Sequence, residues 1–154
     1  MSRVPRGYLD HACVGLPSRR TRDAVTSAIG GLDTADVGAT ERSVGWLEQA
    51  GLARTAAAEL FGASPDDVTL VQNTTDGLAT VLTALPWRPG DALVLADREF
   101  VGTAAVCRSV ARARSLELRI ADGPAPEQIA PHVDARTRAV VLSAVAEVSG
   151  VRAD

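Results

Sequence analysis

From residue 68 onward, short apolar runs rich in β-branched residues alternate with longer segments whose apolar residues recur at the helical period. The short runs predict strands near residues 68–72, 92–96, 116–121 and 138–144. Proline and glycine turns, such as RPGD at 88–91, fall where the predicted helices must stop and strands begin. This alternation is typical of a parallel sheet covered by helices. The prediction is therefore an α/β fold with an alternating β-α three-layer core and a mainly parallel sheet.

Two helices are predicted ahead of this core. Ser18 is placed to cap a helix that runs to about Ile29. The segment 31–44 is small and polar, so it could form a mobile lid loop. The predicted domains are an N-terminal segment, 1–45, with its helix and lid loop, and a core domain, 46–154. In the second helix, apolar residues recur at steps of three and four, which predicts one buried face: Trp46, Leu47, Ala50, Ala53, Ala57, Leu60 and Phe61.

The composition is that of an ordinary globular domain, with 154 residues, 46% of them hydrophobic and 23% charged. A net charge of -3 with dispersed basic residues argues against a nucleic-acid partner. Cys13 and Cys107 have no metal-like spacing, which predicts reduced thiols and no metal site. No apolar run approaches the roughly 18 residues of a membrane span. We expect a cytoplasmic protein that does not use a membrane.

Thr74 and Thr75 are the sharpest candidates for binding a ligand. They follow the predicted strand VTLVQ and open the next predicted helix, where free backbone N–H groups and two hydroxyls can hold an anion such as phosphate. The simpler alternative is that Asn73 or Thr74 only caps the helix.

Phe100 and Glu147 each follow a later predicted strand. The carboxyl ends of parallel strands form the edge of a sheet where ligands bind, so these residues are expected near the threonines. Phe100 could stack on a flat aromatic ligand or could be an ordinary core residue. The chain has no G-x-G-x-x-G motif for a dinucleotide, no P-loop and no G-x-S-x-G elbow, so the pattern does not identify the ligand.

Four segments in order resemble the class V aminotransferase family of pyridoxal-phosphate (PLP) enzymes, which includes cysteine desulfurases, kynureninases, isopenicillin N epimerases and carbon–sulfur lyases. The segments are YLDHACVGLPSR, QNTTDGLATVL, GDALVLADREF and VVLSAVAEVSG. The resemblance covers essentially the whole chain and implies the N-terminal part of the large domain of a fold-type I PLP enzyme. It implies pyridoxal 5'-phosphate as cofactor and an amino acid as substrate.

The resemblance also implies roles for individual residues. Thr74 and Thr75 would hold the cofactor phosphate, Phe100 would stack on the pyridine ring, and Glu147 would stand near the ring hydroxyl. Many relatives have asparagine at the position of Glu147, and a carboxylate there would repel a phenolate unless one of the two carries a proton. Many desulfurases have histidine at the position of Phe100, so an acid–base group is missing and desulfurase chemistry is disfavoured. Residues implied on the substrate side are His11, Ala12 and Gly15.

All 16 basic residues are arginine, so the sequence contains no lysine. The family's Schiff-base lysine is therefore absent, and arginine cannot replace it. We expect this chain, which resembles the N-terminal half of the family, to have no catalytic residue of its own and to be inactive alone. Carbon–sulfur lysis, epimerisation and transamination of an amino acid are the expected reactions of the complete enzyme, in that order.

Three interpretations remain open from the sequence. The chain could work with a C-terminal complement chain, and the complete enzyme is expected to be a homodimer. It could instead be a non-catalytic remnant, or a domain that binds a phosphate-bearing ligand and assembles with a partner. A generic small α/β nucleotide-binding domain explains the periodicity but leaves the opening segment YLDHACVG without a role.

Overall fold

The computed structural model describes residues 7–11, 14–31 and 38–153, and the chain forms two compact units, Met1–Leu70 and Val71–Asp154. The domain division predicted at residue 45 stays a prediction. Of the predicted lid loop, residues 32–37 lie outside the described residues and residues 39–44 belong to a helix. The elements are α1 (Arg19–Gly30), α2 (Ala39–Phe61), α3 (Thr74–Ala84), β1 (Ala92–Ala96), α4 (Val101–Arg114), β2 (Glu117–Ala121), α5 (Pro126–Ile129) and β3 (Thr137–Val141).

The ends of the two helices in the first unit follow the capping residues. The Ser18 hydroxyl oxygen accepts the Thr21 N–H at 3.1 Å and so satisfies one of the free donors that begin α1. At the end of α2, Gly62 takes a φ of 65°, a left-handed conformation that glycine adopts without steric cost. The predicted start of α1 at Ser18 is thus confirmed, and α2 ends at Gly62.

The predicted buried face of α2 is wrong for its large side chains. Trp46, Leu47, Leu60 and Phe61 are all more than half exposed, whereas Ala58, which lies outside the predicted stripe, is buried. The helical period establishes that these apolar residues share a face, but burial also requires another element to cover that face.

The second unit contains a three-stranded parallel sheet with strand order β2-β1-β3. Strand β1 lies in the centre and all five of its residues are buried. Successive side chains of a strand point to opposite faces of the sheet, so β1 is covered on both faces, as expected for a parallel strand. The predicted α/β class and parallel sheet are confirmed.

The predicted strand at 68–72 is wrong. Residues 68–71 belong to no strand and pair with none in the described part of the chain. Leu70 is 52% exposed and Val71 is 46% exposed. A run of β-branched residues favours extended backbone, but a strand also needs a neighbour to bond its N–H and C=O groups.

The core of the second unit lies between the sheet and two helices. Helix α3 packs against α4, and α4 packs on β1 and β2. Leu93 and Leu95 project from the central strand toward this helical layer. The buried side chains of the cluster are Leu82, Leu93, Leu95, Ala104, Cys107 and Val110.

Arg119 ties β2 to the segment before β3. Its guanidinium donates to both carboxylate oxygens of Glu117, to Asp134 Oδ2 at 2.9 Å and to the His132 carbonyl at 2.8 Å. Arg136 pairs with the same Glu117 at 2.8 Å. These hydrogen bonds hold the pKa of Asp134 down at about 2 and lower that of Glu117, mainly because Arg119 donates to each ionised carboxylate. Near the amino ends of β2 and β3 the charges thus form one network.

In the described residues, no helix is long and apolar enough to cross a bilayer. Within the same residues, no group of His, Cys, Asp and Glu side chains is placed to hold a metal ion.

Candidate functional site

The N-terminus of α3 presents a set of free hydrogen-bond donors. Asn73 caps the helix, with its side-chain oxygen accepting the Asp76 N–H at 2.9 Å. In the described part of the chain, the amides and hydroxyls of Thr74 and Thr75 make no hydrogen bond. By contrast, the hydroxyls of Thr80 and Thr83 donate to carbonyls of the preceding turn. The cap and the free donors therefore coexist, and the first turn retains the capacity to bind an anion.

Phe100 lies at the start of α4, directly after the loop that leaves β1. It is the N-cap residue of that helix, and its side chain is 46% exposed. A ring held at a helix start with one part open to solvent can stack on a planar ligand, which a fully buried core phenylalanine cannot do. Phe100 is therefore not a fully buried core residue, and its stacking role stays a prediction.

Gly102 brings the two candidate residues together. A β-carbon at this position would lie 2.6 Å from Thr75 Oγ1 and 2.9 Å from Phe100 Cε1. Any side chain would thus displace the hydroxyl, the ring or both. The N-terminal turns of α3 and α4 meet at this glycine, so hydroxyl and amide donors stand beside an accessible aromatic ring. A flat aromatic phosphate ester needs both features, and the residues present fit such a group.

Glu147 is not brought into this arrangement. It is exposed, six residues beyond the end of β3, in a turn that is closed by the Gly150 N–H donating to the Ala146 carbonyl at 2.8 Å. In the described residues the Glu147 side chain makes no polar contact. Its predicted role near a cofactor ring stays a prediction.

The substrate-side candidates lie in the first unit. His11 is exposed and packs edge-on against the ring of Tyr8, with 4.9 Å between ring centroids. The Tyr8 hydroxyl donates to the Val14 carbonyl at 2.9 Å. Gly15 is exposed, and Ala12 lies outside the described residues. Their predicted contact with substrate stays a prediction.

Glu99 was not singled out from the sequence, although it contacts the end of the neighbouring strand segment. One carboxylate oxygen accepts the Ser143 N–H at 2.6 Å, and the other accepts the Ser143 hydroxyl at 2.6 Å. The two residues are 44 positions apart, so no local pattern could have paired them. Gly102 was also overlooked, and its only sequence signal is a glycine two residues after Phe100.

A cavity of about 290 Å³ opens beside the loop that leaves β1. Within the loop, Arg98 takes a φ of 58°, which is uncommon for a residue with a side chain. The cavity has charges of both signs at its rim. It is lined by Leu95, Ala96, Asp97, Arg98, Glu99, Val101, Ala104, Arg108 and Ile120.

Cys107 lies behind this site in the core. Burial and, second to it, the negative charge of Glu99 raise the pKa of its thiol to about 11. The thiol is therefore neutral near pH 7. It fills space in the core and is not a nucleophile.

The fold of this chain is similar to the folds of several solved structures. A complex of the cystine C–S lyase C-DES with cysteine persulfide superposes with a TM-score of 0.80 at 25% identity, covering 95% of this chain and 40% of that one. A C-DES mutant with glycine covalently linked to its PLP cofactor gives a TM-score of 0.70 at 28% identity over 81% of this chain and 34% of that one. The cysteine desulfurase CsdA of Escherichia coli, at 19% identity and a TM-score of 0.71, shares the fold.

Sequence comparisons agree with the structural ones. An uncharacterized protein of Schizosaccharomyces pombe is 33% identical over 119 residues, which are 71% of this chain and 26% of that protein. The chain therefore spans about a quarter of this curated relative. The family model of the aminotransferase class-V proteins matches residues 32–154. The chain belongs to the class V aminotransferase family of fold-type I PLP enzymes, and this membership implies a pyridoxal phosphate cofactor.

Proposed function

We propose that the second unit supplies the phosphate-binding and ring-stacking part of the active site of a PLP-dependent enzyme that acts on an amino acid. The observation that carries the proposal is the meeting of Thr75 and Phe100 at Gly102. This contact joins donors suited to a phosphate with a ring suited to a pyridine, and a structural helix cap alone would require neither.

The chain's own residues bind and orient the cofactor. The amides and hydroxyls of Thr74 and Thr75 donate to phosphate oxygens, and the partial positive charge at the start of α3 favours the same anion. Phe100 packs against one face of the ring and keeps water from that face. If Glu147 lay near the ring hydroxyl, one of the two groups would carry a proton, because two negative charges at that distance would repel. When bound, the cofactor supplies an electron sink for the substrate's α-carbon.

Carbon–sulfur lysis is the reaction we place first, ahead of epimerisation and transamination. The likeness to C-DES, which is described as a cystine C–S lyase, supports this order. Phe100 disfavours desulfurase chemistry, because a phenyl ring cannot carry the proton that a histidine at this position could transfer. Elimination of sulfur then depends on groups other than residue 100.

The covalent anchor for the cofactor must come from polypeptide other than these 154 residues, because the sequence contains no lysine. We propose that a C-terminal complement, on the same chain or on another, supplies it and that the assembled enzyme is a cytoplasmic homodimer. These residues alone bind cofactor weakly and catalyse nothing. A non-catalytic domain that binds a phosphate ligand is the alternative.

Equilibrium dialysis with pyridoxine 5'-phosphate tests the proposal. This probe lacks the aldehyde, so it cannot react with the α-amino group, which is the only primary amine in the sequence. We expect saturable binding, and a loss of about tenfold or more in affinity for the double variant Thr74→Ala/Thr75→Ala, since hydrogen bonds to charged groups are among the strong ones.

Thr80→Ala/Thr83→Ala is the matched control, because it removes two hydroxyls of the same helix that already donate to carbonyls. It should leave the affinity unchanged. Absence of saturable binding by the unmodified chain, both alone and with a lysine-bearing C-terminal part of a class V relative, would overturn the cofactor assignment. Binding without any turnover after that complementation would favour the non-catalytic alternative.

A further inference from the structure

The order of the strands creates a crevice beside Glu99. From β1 the chain passes through α4 to β2 on one side, and it then returns to β3 on the other side of β1. The segments that leave β1 and β3 thus diverge from neighbouring parallel strands. In open α/β sheets, ligands bind at the carboxyl ends of the strands at such a switch of direction.

The carboxylate of Glu99 bridges that crevice. Its two oxygens accept the backbone N–H and the side-chain hydroxyl of Ser143, each at 2.6 Å, and both residues are half-buried. Short hydrogen bonds to an ionised acceptor are stronger than those between neutral groups. No arginine in the described ranges forms an ion pair with Glu99, so Ser143 supplies all its hydrogen bonds there. Both oxygens of the Glu99 carboxylate are therefore hydrogen-bonded to Ser143.

The bridge between Glu99 and Ser143 lies next to the candidate binding residues. Glu99 precedes Phe100 in the chain, and a β-carbon at Gly102 would meet both the Phe100 ring and Thr75 Oγ1. On the other side of the bridge, Ser143 lies on the segment that leads from β3 to Glu147. The backbone next to Phe100 is therefore tied to the strand segment at Ser143 through Glu99, and the Phe100 ring lies beside Gly102.

We infer that Glu99 is a positioning residue that, through its hydrogen bonds to Ser143 across the crevice, holds the Phe100 ring in its stacking position. The inference rests on the proposed function. It separates two contributions to binding: the phosphate contact depends on the N-terminus of α3, and the ring contact depends on the bridge between Glu99 and Ser143.

Two probes distinguish these contributions. Pyridoxine 5'-phosphate carries both the ring and the phosphate, whereas glycerol 3-phosphate carries the phosphate alone. Binding of each is followed by the backbone amide shifts of Thr74 and Thr75 in NMR titrations. For Glu99→Ala we expect the affinity for pyridoxine 5'-phosphate to fall about five- to tenfold, which is the range of a lost aromatic stacking contact. The affinity for glycerol 3-phosphate should stay unchanged.

Conservative and control variants complete the test. Glu99→Gln keeps an oxygen for the Ser143 N–H and gains an NH₂ for the Ser143 oxygen, so it should restore most of the affinity. Ser143→Ala removes one of the two bonds and should lower ring-dependent affinity by a smaller factor, which provides the test if Glu99→Ala does not fold. Glu59→Ala, in an exposed position of α2, should change neither affinity.

The outcomes separate the two proposals. If the unmodified chain binds neither probe, the proposed function fails. If it binds both and Glu99→Ala folds and binds pyridoxine 5'-phosphate as well as the unmodified chain does, only the positioning role is overturned. Equal losses for both probes would also overturn it, because a general loosening of the fold would then explain the effect.

Discussion

Gly102 has room for a hydrogen atom and for little else. Both atoms that surround the missing side chain, Thr75 Oγ1 and Phe100 Cε1, belong to residues proposed to bind the cofactor. A backbone without a β-carbon at this point lets two helical N-termini approach one another. The requirement for glycine therefore follows from this close approach and not from a left-handed φ.

We expect Gly102→Ala to destabilise the chain by about 1–3 kcal/mol, the usual effect of overpacking. It should also weaken binding of pyridoxine 5'-phosphate, because the hydroxyl or the ring must move. Gly51→Ala is the control, since this glycine also lies inside a helix but has nothing within 4 Å of the added carbon. Alanine there should stabilise by about 0.5–1 kcal/mol. Urea unfolding measures both values, and a stabilising Gly102→Ala would contradict the packing argument.

Cys107 should be inert toward thiol reagents as long as the protein is folded. Its side chain is buried, and its pKa of about 11 leaves very little thiolate near pH 7. In a Cys13→Ser variant, which leaves Cys107 as the only thiol, we expect modification by a disulfide reagent to occur at the rate of unfolding. The same variant in concentrated urea should react at once. Rapid modification without denaturant would show that the core opens locally.

At the scale of whole elements, the first turn of α3 is capped by one side chain, that of Asn73. Asn73 Oδ1 accepts the Asp76 N–H, so Asn73→Ala should lower the free energy of unfolding by about 1 kcal/mol. Asn73→Asp keeps an acceptor and should retain most of the stability, but its added negative charge should weaken phosphate binding beside Thr74 and Thr75. Thermal unfolding and dialysis together measure these effects. Equal stability of the alanine and aspartate variants would contradict the assigned cap.

The elements also show what a sequence of this kind can predict. Strands β1, β2 and β3 were located to within a few residues, because each is a short apolar run between turn residues. The segment 68–72 has the same character, yet it forms no strand, since strand formation depends on a neighbour elsewhere in the chain. The exposed Trp46 and Phe61 of α2 make the same point for helices.

For the candidate site, the order of motifs led to Thr75 and Phe100; both lie beside Gly102, and their roles stay predictions. That order could not point to Glu99, because the residue that Glu99 hydrogen-bonds lies 44 positions away. Contacts between residues so far apart in the sequence depend on strand order, and no single sequence segment determines strand order.

At the scale of the whole molecule, the network around Arg119 makes stability depend on pH. The folded-state pKa of Asp134 is about 2 against a usual 3.8, and that of Glu117 is lowered from 4.5. Because both are lowered by folding, their stabilising contribution is complete above about pH 4.5 and is lost as the pH falls toward 2. Arg119→Met should therefore flatten the dependence of unfolding free energy on pH in this window. Arg112→Met, an exposed position on α4, should leave the slope unchanged, and urea unfolding across the pH series measures both.

The central position of β1 has a consequence for how the chain is made. Its first neighbour, β2, follows after one helix, but its second neighbour, β3, is the last of the three strands to leave the ribosome. At ordinary rates of synthesis, one edge of an entirely apolar strand waits a few seconds for its partner. During that interval the open edge of β1 is the part of the nascent chain most exposed to pairing with another polypeptide, and it is there that a chaperone would be needed.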